Sequence, residues 1–332
     1  MPTNFLSLCY HYIRTPEEND LFPRILGPTE KAFIQQIQML KENFDIISLE
    51  QARAILYNNQ QNKNTDQKSG LLITFDDGLS DHFRAAQILH EHGIFACFFL
   101  PTCILNKLPA NPVIIHYALA AEGIQNFLCV YEDALRAFGK HVREYVITFQ
   151  KGQNPWKVID EIKQVFKYKF DYVTSRKILL YIYRNLLLIK YPDIFSHMHL
   201  SRKQIIEMLA MGHSIGAHSH SHISIASTCL TNKQLKTELI KPKHILEKEF
   251  RTEIIALSYR FGQSADCLSA KNLLNTTHEY TMGFTVEEII NTHNSSPLSL
   301  GRYMPTGSDN ATSLLNKLRE IEEKNENRNI NK

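Results

Sequence analysis

Short apolar runs alternate with amphipathic stretches along most of the chain, and the runs tend to stop at a glycine or a charge. Residues 5–13 read as a first strand ending near His11. From 29 to 43 the apolar positions Phe33, Ile34, Ile37, Met39 and Leu40 form roughly the inner stripe of a helix. Ser48 and Gln51 have the spacing of a capping box and open a second helix over 52–56. The polar stretch 58–69, rich in asparagine and glutamine, reads as a loop. It delivers the chain to 71–75, a run short enough to be a buried strand, which ends abruptly in Asp76, Asp77 and Gly78. A helix follows from Ser80 or Asp81 to His90 and stops at Gly93. Residues 94–100 form the next buried strand. Strand, helix and strand at this spacing predict a parallel α/β sheet or barrel. Active sites of such folds gather at the carboxyl ends of the strands, where the two aspartates fall.

The middle of the chain departs from that alternation. Residues 114–138, 156–166 and 174–190 all read as helices, and the apolar run 178–189 is too short and too interrupted to span a bilayer. Strand and helix signals resume at Ser201 and Gln204, a second capping box, which leads a helix over 204–211. Thr231 and Gln234 start another, running to about 250. Strands follow at 254–258, 282–285 and 299–304, and a C-terminal helix from about 310 frays into a polar tail after 322.

Two clusters carry chemistry. Neighbouring side chains on a strand point to opposite faces, but where a strand ends and bends, Asp76 and Asp77 can reach one pocket from different directions. Like charges that close repel, so one of them requires a proton or a metal. The second cluster, 212–222, holds His213, His218, His220 and His222. His218 and His222 share a face if the segment is helical; His218, His220 and His222 share one if it is extended. His213 and His220 individually read as polar-loop residues. Two imidazoles and a carboxylate leave coordination positions open for water and substrate, as a hydrolytic zinc site requires.

Thr74 to Gly78 and His218 to His222 resemble the T-F-D-D-G and H-S/T-x-x-H motifs of the polysaccharide deacetylase family, also known as carbohydrate esterase family 4 or the NodB-homology domain. The resemblance covers residues 1–102 and 200–305. It implies a distorted (β/α)7-8 barrel, here a domain over 1–310 interrupted by a helical insertion at 103–199, with a C-terminal helix and tail at 311–332. It further implies a metal held by Asp77, His218 and His222, most plausibly Zn2+ with Co2+, Ni2+ or Mn2+ as alternatives, and Asp76 as general base. The segment Tyr259, Arg260, Phe261, Gly262 matches the stretch whose backbone lines the oxyanion pocket, although Arg260 stands where proline is usual and Ser258 where one subfamily has arginine. Arg302 falls where a related subfamily carries an arginine near the site, able to orient Asp76 or hold an anion. His11 is expected at the site mouth. The family's acidic-tryptophan motif and its L-x-H motif have no match, so the general acid is open, with His293 a spare candidate.

The implied reaction is removal of an N-acetyl group from an amino sugar in a polysaccharide or glycolipid precursor. A non-acetyl amide hydrolase, of deformylase or cyclic ureide type, and an inactive carbohydrate-binding homologue are the alternatives. Composition changes this little. With 332 residues and 43% hydrophobic content the chain can bury a substantial core, and a formal charge of +3 gives no case for nucleic acid. The six cysteines are scattered without a C-x-x-C pair, and 1–12 lacks a signal-peptide pattern, so a cytoplasmic protein with reduced thiols is expected. Lys151, Lys157, Lys163, Lys167, Lys169, Arg176, Lys177, Arg184 and Lys190 make the middle region basic. That face suits anionic sugars, a lipid- or nucleotide-linked substrate, or peripheral contact with the inner membrane surface.

Overall fold

The computed structural model describes residues 2–14, 20–57, 68–224, 230–263 and 267–330, with side chains to 324. Most of the expected loop at 58–69 lies outside the described residues. Eight strands form one sheet: β1 (Asn4–Tyr10), β2 (Asp45–Ile47), β3 (Gly70–Phe75), β4 (Cys97–Leu100), β5 (Ser214–Ala217), β6 (Ala256–Ser258), β7 (Met282–Phe284) and β8 (Asn291–Thr292). Their order is β7-β6-β5-β4-β3-β1-β8, with β2 also on β3, and only β1–β8 is antiparallel. β3 lies at the centre and is buried throughout, which is why 71–75 is continuously apolar. One edge of β3 is shared, since Leu72 pairs with Ile47 of β2 and Thr74 with Cys97 of β4.

The segment 300–303 ties the sheet's two sides together. Leu300 bridges Phe284 of β7, and Tyr303 bridges Leu8 of β1. Leu300 N–H donates to Gly283 O and Tyr303 N–H to Ser7 O, both at 2.8 Å. The result is the curled, distorted (β/α) barrel that the motifs imply. It also explains why 299–304 reads as a strand yet forms only isolated bridges.

Local capping sets the outer helices. α1 (Glu30–Asn43) is capped by Thr29, and α2 (Leu49–Tyr57) opens on the reciprocal Ser48–Gln51 pair. α3 (Asp81–Glu91) returns the chain from β3 to β4. Between β4 and β5 run α4 (Asn111–Ala137), α5 (Pro155–Gln164), α6 (Tyr172–Ile182), α7 (Ile194–Met198) and α8 (Arg202–Ala210), with π turns extending α5 and α6. α4 is the one helix among the described residues long and apolar enough to cross a membrane. Gly123, at φ 76° and ψ 172°, breaks it in two, and its apolar side chains Val113, Ile114, Phe127 and Tyr131 are buried in the core. Packing accounts for its composition.

The single helix expected over 231–250 is two: α9 (Asn232–Leu239) and α10 (Lys241–Phe250). Pro242 is the cause, because it cannot donate to the preceding turn and fits only a helix's first turn. α11 (Leu268–Thr277) and α12 (Ala311–Ile330) follow, α12 packing on α1 through Leu314, Leu318 and Ile321.

Candidate metal centre and active site

β3 ends at Phe75, and the chain then turns sharply through Asp77 (φ 76°) and Gly78 (φ 57°). This turn separates the two acids. Asp76 stays anchored by its N–H to Tyr10 O at 3.0 Å, while Asp77 swings toward β5. β5 stops at Ala217, so His218 begins the loop at the same end of the barrel. The 218–222 segment is neither helical nor extended; it is a tight turn with Ser219 (φ 68°) and His222 (φ 59°) left-handed. That turn brings His218 and His222 together with ring centroids 4.6 Å apart.

Asp77, His218 and His222 offer one carboxylate oxygen and two ring nitrogens, all within 4.8 Å of one another and all buried. Asp77 Oδ1 lies 3.3 Å from His218 Nε2 and 3.1 Å from His222 Nε2. Ser258 O sits 2.9 Å from His218 Nδ1 and takes its proton there, which leaves the Nε2 lone pair aimed at the carboxylate. Among the described residues, Asp77 Oδ1 and His222 Nδ1 have no hydrogen-bond partner. A lone pair facing a buried, unpartnered carboxylate oxygen calls for a positive centre between them, so the donor set fits a divalent cation.

Asp76 has different company. Arg302 donates Nη1 to Asp76 Oδ1 and Nη2 to Oδ2, each at 2.9 Å. The remaining Arg302 donors go to Thr74 Oγ1 (3.1 Å), Ser258 Oγ (2.7 Å) and Thr285 O (3.0 Å), which satisfies the whole guanidinium in full burial. Ser258 Oγ also donates to Asp76 Oδ2 at 2.8 Å. Burial alone would raise the Asp76 carboxyl; the Arg302 guanidinium, with His218, instead holds it well below the usual carboxylate range. Asp76 is therefore ionised, and among the described residues its Oδ1 is bonded only by Arg302.

No family model and no curated protein matches the sequence. Solved structures do match. The Streptococcus pyogenes deacetylase PplD, solved with acetate, aligns with 96% of this chain and 99% of its own at 19% identity and a TM-score of 0.56. IcaB from Ammonifex degensii covers 95% and 97% of the two chains at 14% identity and 0.54. A polysaccharide deacetylase from Bacillus cereus covers 95% and 69% at 15% identity and 0.53. The chain has the polysaccharide deacetylase fold. At these identities the likeness concerns architecture, and the chemistry rests on the residues above.

Within this deacetylase fold, a cavity of about 300 Å³ opens over Asp76, Asp77, His218 and His222. Helices from the middle region build its far wall, with Pro112, Ile115 and His116 of α4, Phe166 and Leu179. Of the residues expected at the site, His11, Tyr259 and Phe261 line it, His11 Nε2 lying 4.0 Å from Asp77 Oδ2. Phe261 is left-handed (φ 59°) and meets the His222 ring edge-on at 5.4 Å. Gly262 does not line the cavity; it packs behind, where a Cβ would fall 2.8 Å from Val286. His293 follows β8, which pairs with Asn4 and Phe5 at the opposite end of β1, and is not a candidate acid. His213 accepts from Ala96 N–H and sits 2.9 Å from Ala86 O, and His220 bonds Thr102 Oγ1, so both are structural.

Sequence reasoning missed three participants. Ser258 read only as a departure from a motif, yet it bonds both Asp76 and Arg302. Glu238, fully buried on α9, pairs with Arg260 at 2.7 Å. Its signal was an acid on the helix's apolar stripe with Leu235 and Leu239. His116 faces the cavity from α4, where burial and the Lys163 charge lower its pKa to about 3. The basic face is partly spent internally: Arg176 donates to Pro109 O and Asn111 Oδ1, and Lys190 pairs with Glu122.

Proposed function

We propose that the protein is a metal-dependent hydrolase that removes the N-acetyl group from an amino sugar in a polysaccharide or glycolipid precursor. The observation that carries this reading is the Asp77–His218–His222 donor set beside a separately ion-paired Asp76, at the floor of an apolar-walled cavity. A divalent cation held there, Zn2+ before Co2+, Ni2+ or Mn2+, would acidify water and polarise the acyl oxygen. The chain's own residues supply the rest. Asp76 accepts the proton as the water oxygen attacks the carbonyl carbon, and Arg302 keeps the carboxylate ionised and oriented for that transfer. Backbone N–H groups near Phe261, which lines the cavity, are assigned to the developing oxyanion. When the C–N bond breaks, Asp76 returns the proton to the departing nitrogen, leaving acetate and a free amine.

Residues 103–199 act in this reading as an insertion that walls the mouth of a barrel domain spanning 1–310. Such a wall favours a single or terminal sugar over the middle of a polymer, and the lysines at its rim suit a lipid- or nucleotide-linked substrate. Cys9, Cys97, Cys103 and Cys129 are free thiols, which favours a reducing compartment, the cytoplasm. One observation favours a second reading, an enzyme for a different amide: the wall over the site is largely apolar, with Pro112, Ile115, Phe166 and Leu179.

The test is metal content by elemental analysis together with acetate release from N-acetylated saccharides, in wild type and His218→Ala. About one metal per chain, lost in the variant with the acetate release, is expected. Metal without acetate, but with formate or ammonia from other amides, would move the assignment to the second reading.

A further inference from the structure

The loop that carries both histidine ligands is gripped by a carboxylate that touches neither imidazole. Glu238 Oε2 accepts the backbone N–H groups of His220 (3.2 Å) and Ser221 (3.1 Å) and Arg260 Nη1 (2.7 Å). Its Oε1 accepts Ser221 Oγ (2.7 Å) and the Tyr172 hydroxyl (2.9 Å). Successive backbone N–H groups converging on one anion form a nest, a geometry that requires unusual backbone angles around it. Those angles are present: Ser219 and His222, flanking the two donors, are both left-handed, which side-chain-bearing residues adopt only when their surroundings enforce it. The loop's carbonyls are engaged from the other side, Ser219 O by Thr102 N–H at 3.1 Å and His220 O by Cys103 N–H at 2.7 Å. Burial alone would raise the Glu238 carboxyl, but Arg260 and Ser221 bring it below its ordinary value, so the anion persists. The same residue thus explains Arg260, which stands where the family motif has proline.

We propose that Glu238 is a positioning residue for metal binding: by accepting the His220 and Ser221 N–H groups it holds the 218–222 turn in the conformation that presents both imidazole Nε2 atoms to Asp77. Through Arg260 and Tyr172 it also ties that turn to the Phe261 segment and to α6. This rests on the reading of Asp77, His218 and His222 as metal ligands.

Two double variants separate the hydrogen bonds from the charge. Glu238→Leu alone would strand the buried Arg260 without a counter-charge, so Arg260→Met accompanies each change. In Glu238→Gln/Arg260→Met the amide oxygen still accepts the two loop N–H groups, and its NH2 faces the two hydroxyls, which can accept. In Glu238→Leu/Arg260→Met nothing accepts them. Zn2+ affinity, measured by competition with a chelator, is expected to stay near wild type in the first and to fall about ten- to a hundred-fold in the second. Equal affinity in all three proteins, or equal loss in both variants, overturns the proposal. Amide hydrogen exchange in metal-free wild type gives a test independent of any variant's folding. The His220 and Ser221 amides are expected to be protected, and exchange at open-loop rates would sink the idea. A wild type that takes up no Zn2+ would instead defeat the metal reading, and the exchange measurement would still report on the grip itself.

Discussion

Asp76 and Asp77 are adjacent in sequence and opposite in company, one facing a guanidinium and the other two imidazoles. That difference predicts different failures. Asp76→Asn is expected to keep metal affinity, since Asp76 is outside the ligand set, while acetate release drops by about 10²–10⁴-fold, the range for loss of a general base. Asp77→Asn should lose the metal itself, and equal metal loss in both variants would refute the division of roles. Arg302→Met leaves the Asp76 carboxylate buried and unpaired, so a loss of about 3–5 kcal/mol in urea-denaturation stability is expected, beyond any effect on turnover. His82 makes a separate, pH-dependent contribution beneath the same turn. Its Nδ1 accepts Leu79 N–H and its Nε2 donates to His11 O, so the fold requires the neutral ring. Burial is the main reason its pKa falls from 6.5 to about 3, with the His11 charge adding to that and the His11 carbonyl and both aspartates opposing it. Between those values the unfolded chain binds more protons, so stability declines as pH drops from 6.5 toward 3, by up to about 1.4 kcal/mol per pH unit. His82→Gln should flatten that slope in urea midpoints measured across the interval; an unchanged slope would assign the acid sensitivity elsewhere.

Elements differ in how far local sequence determines them. The Ser48–Gln51, Ser201–Gln204 and Thr231–Gln234 boxes were legible because each is closed by hydrogen bonds within four residues, and all three form. The Asp77, His218 and His222 cluster was legible for another reason, that few structures need a double acid and a histidine pair. The shape of the 218–222 turn was not, because Glu238 and Thr102, distant in sequence, impose it. β8 was equally hidden, and 299–304 was legible as a strand but its partners were not, since pairing with β1 and β7 depends on the finished barrel. β5 shows what such long-range fit demands. A Cβ at Gly216 would lie 2.4 Å from the Phe99 ring and 3.0 Å from Ala256 O. Phe99 is fully buried with the Arg302 guanidinium 5.7 Å from its centroid, so it has nowhere to yield. Gly216→Ala should cost about 1–3 kcal/mol by thermal or urea denaturation and weaken metal binding through the displaced His218. A variant as stable as wild type would mean that β5 shifts more freely than this packing allows.

Across the whole molecule, the barrel supplies the charged floor of the cavity and the helices between β4 and β5 supply much of its wall, so substrate selection should be separable from the reaction. Among the described residues, the acids lining the cavity are Asp76, already paired with Arg302, and Asp77, which belongs to the candidate metal set. Lys163 lines the same cavity from α5, exposed, while Lys167 one turn on lies 4.9 Å over the Phe261 ring. Among the described residues no lining carboxylate is left to answer Lys163, so the wall presents positive charge to whatever enters beside the acyl group. A sugar bearing phosphate would meet that charge, and a neutral one would not. A charge-assisted hydrogen bond is worth about 1.5–3 kcal/mol, which sets the expected scale. Lys163→Gln should raise KM for N-acetylglucosamine 1-phosphate by about ten-fold or more, with kcat and the KM for neutral N-acetylated saccharides little changed. Because Lys163 is exposed, added salt should shrink the wild type's preference for the phosphorylated sugar and leave the variant nearly indifferent. An equal rise in KM for both sugars would make Lys163 a packing residue of the wall and leave selection to its apolar side chains.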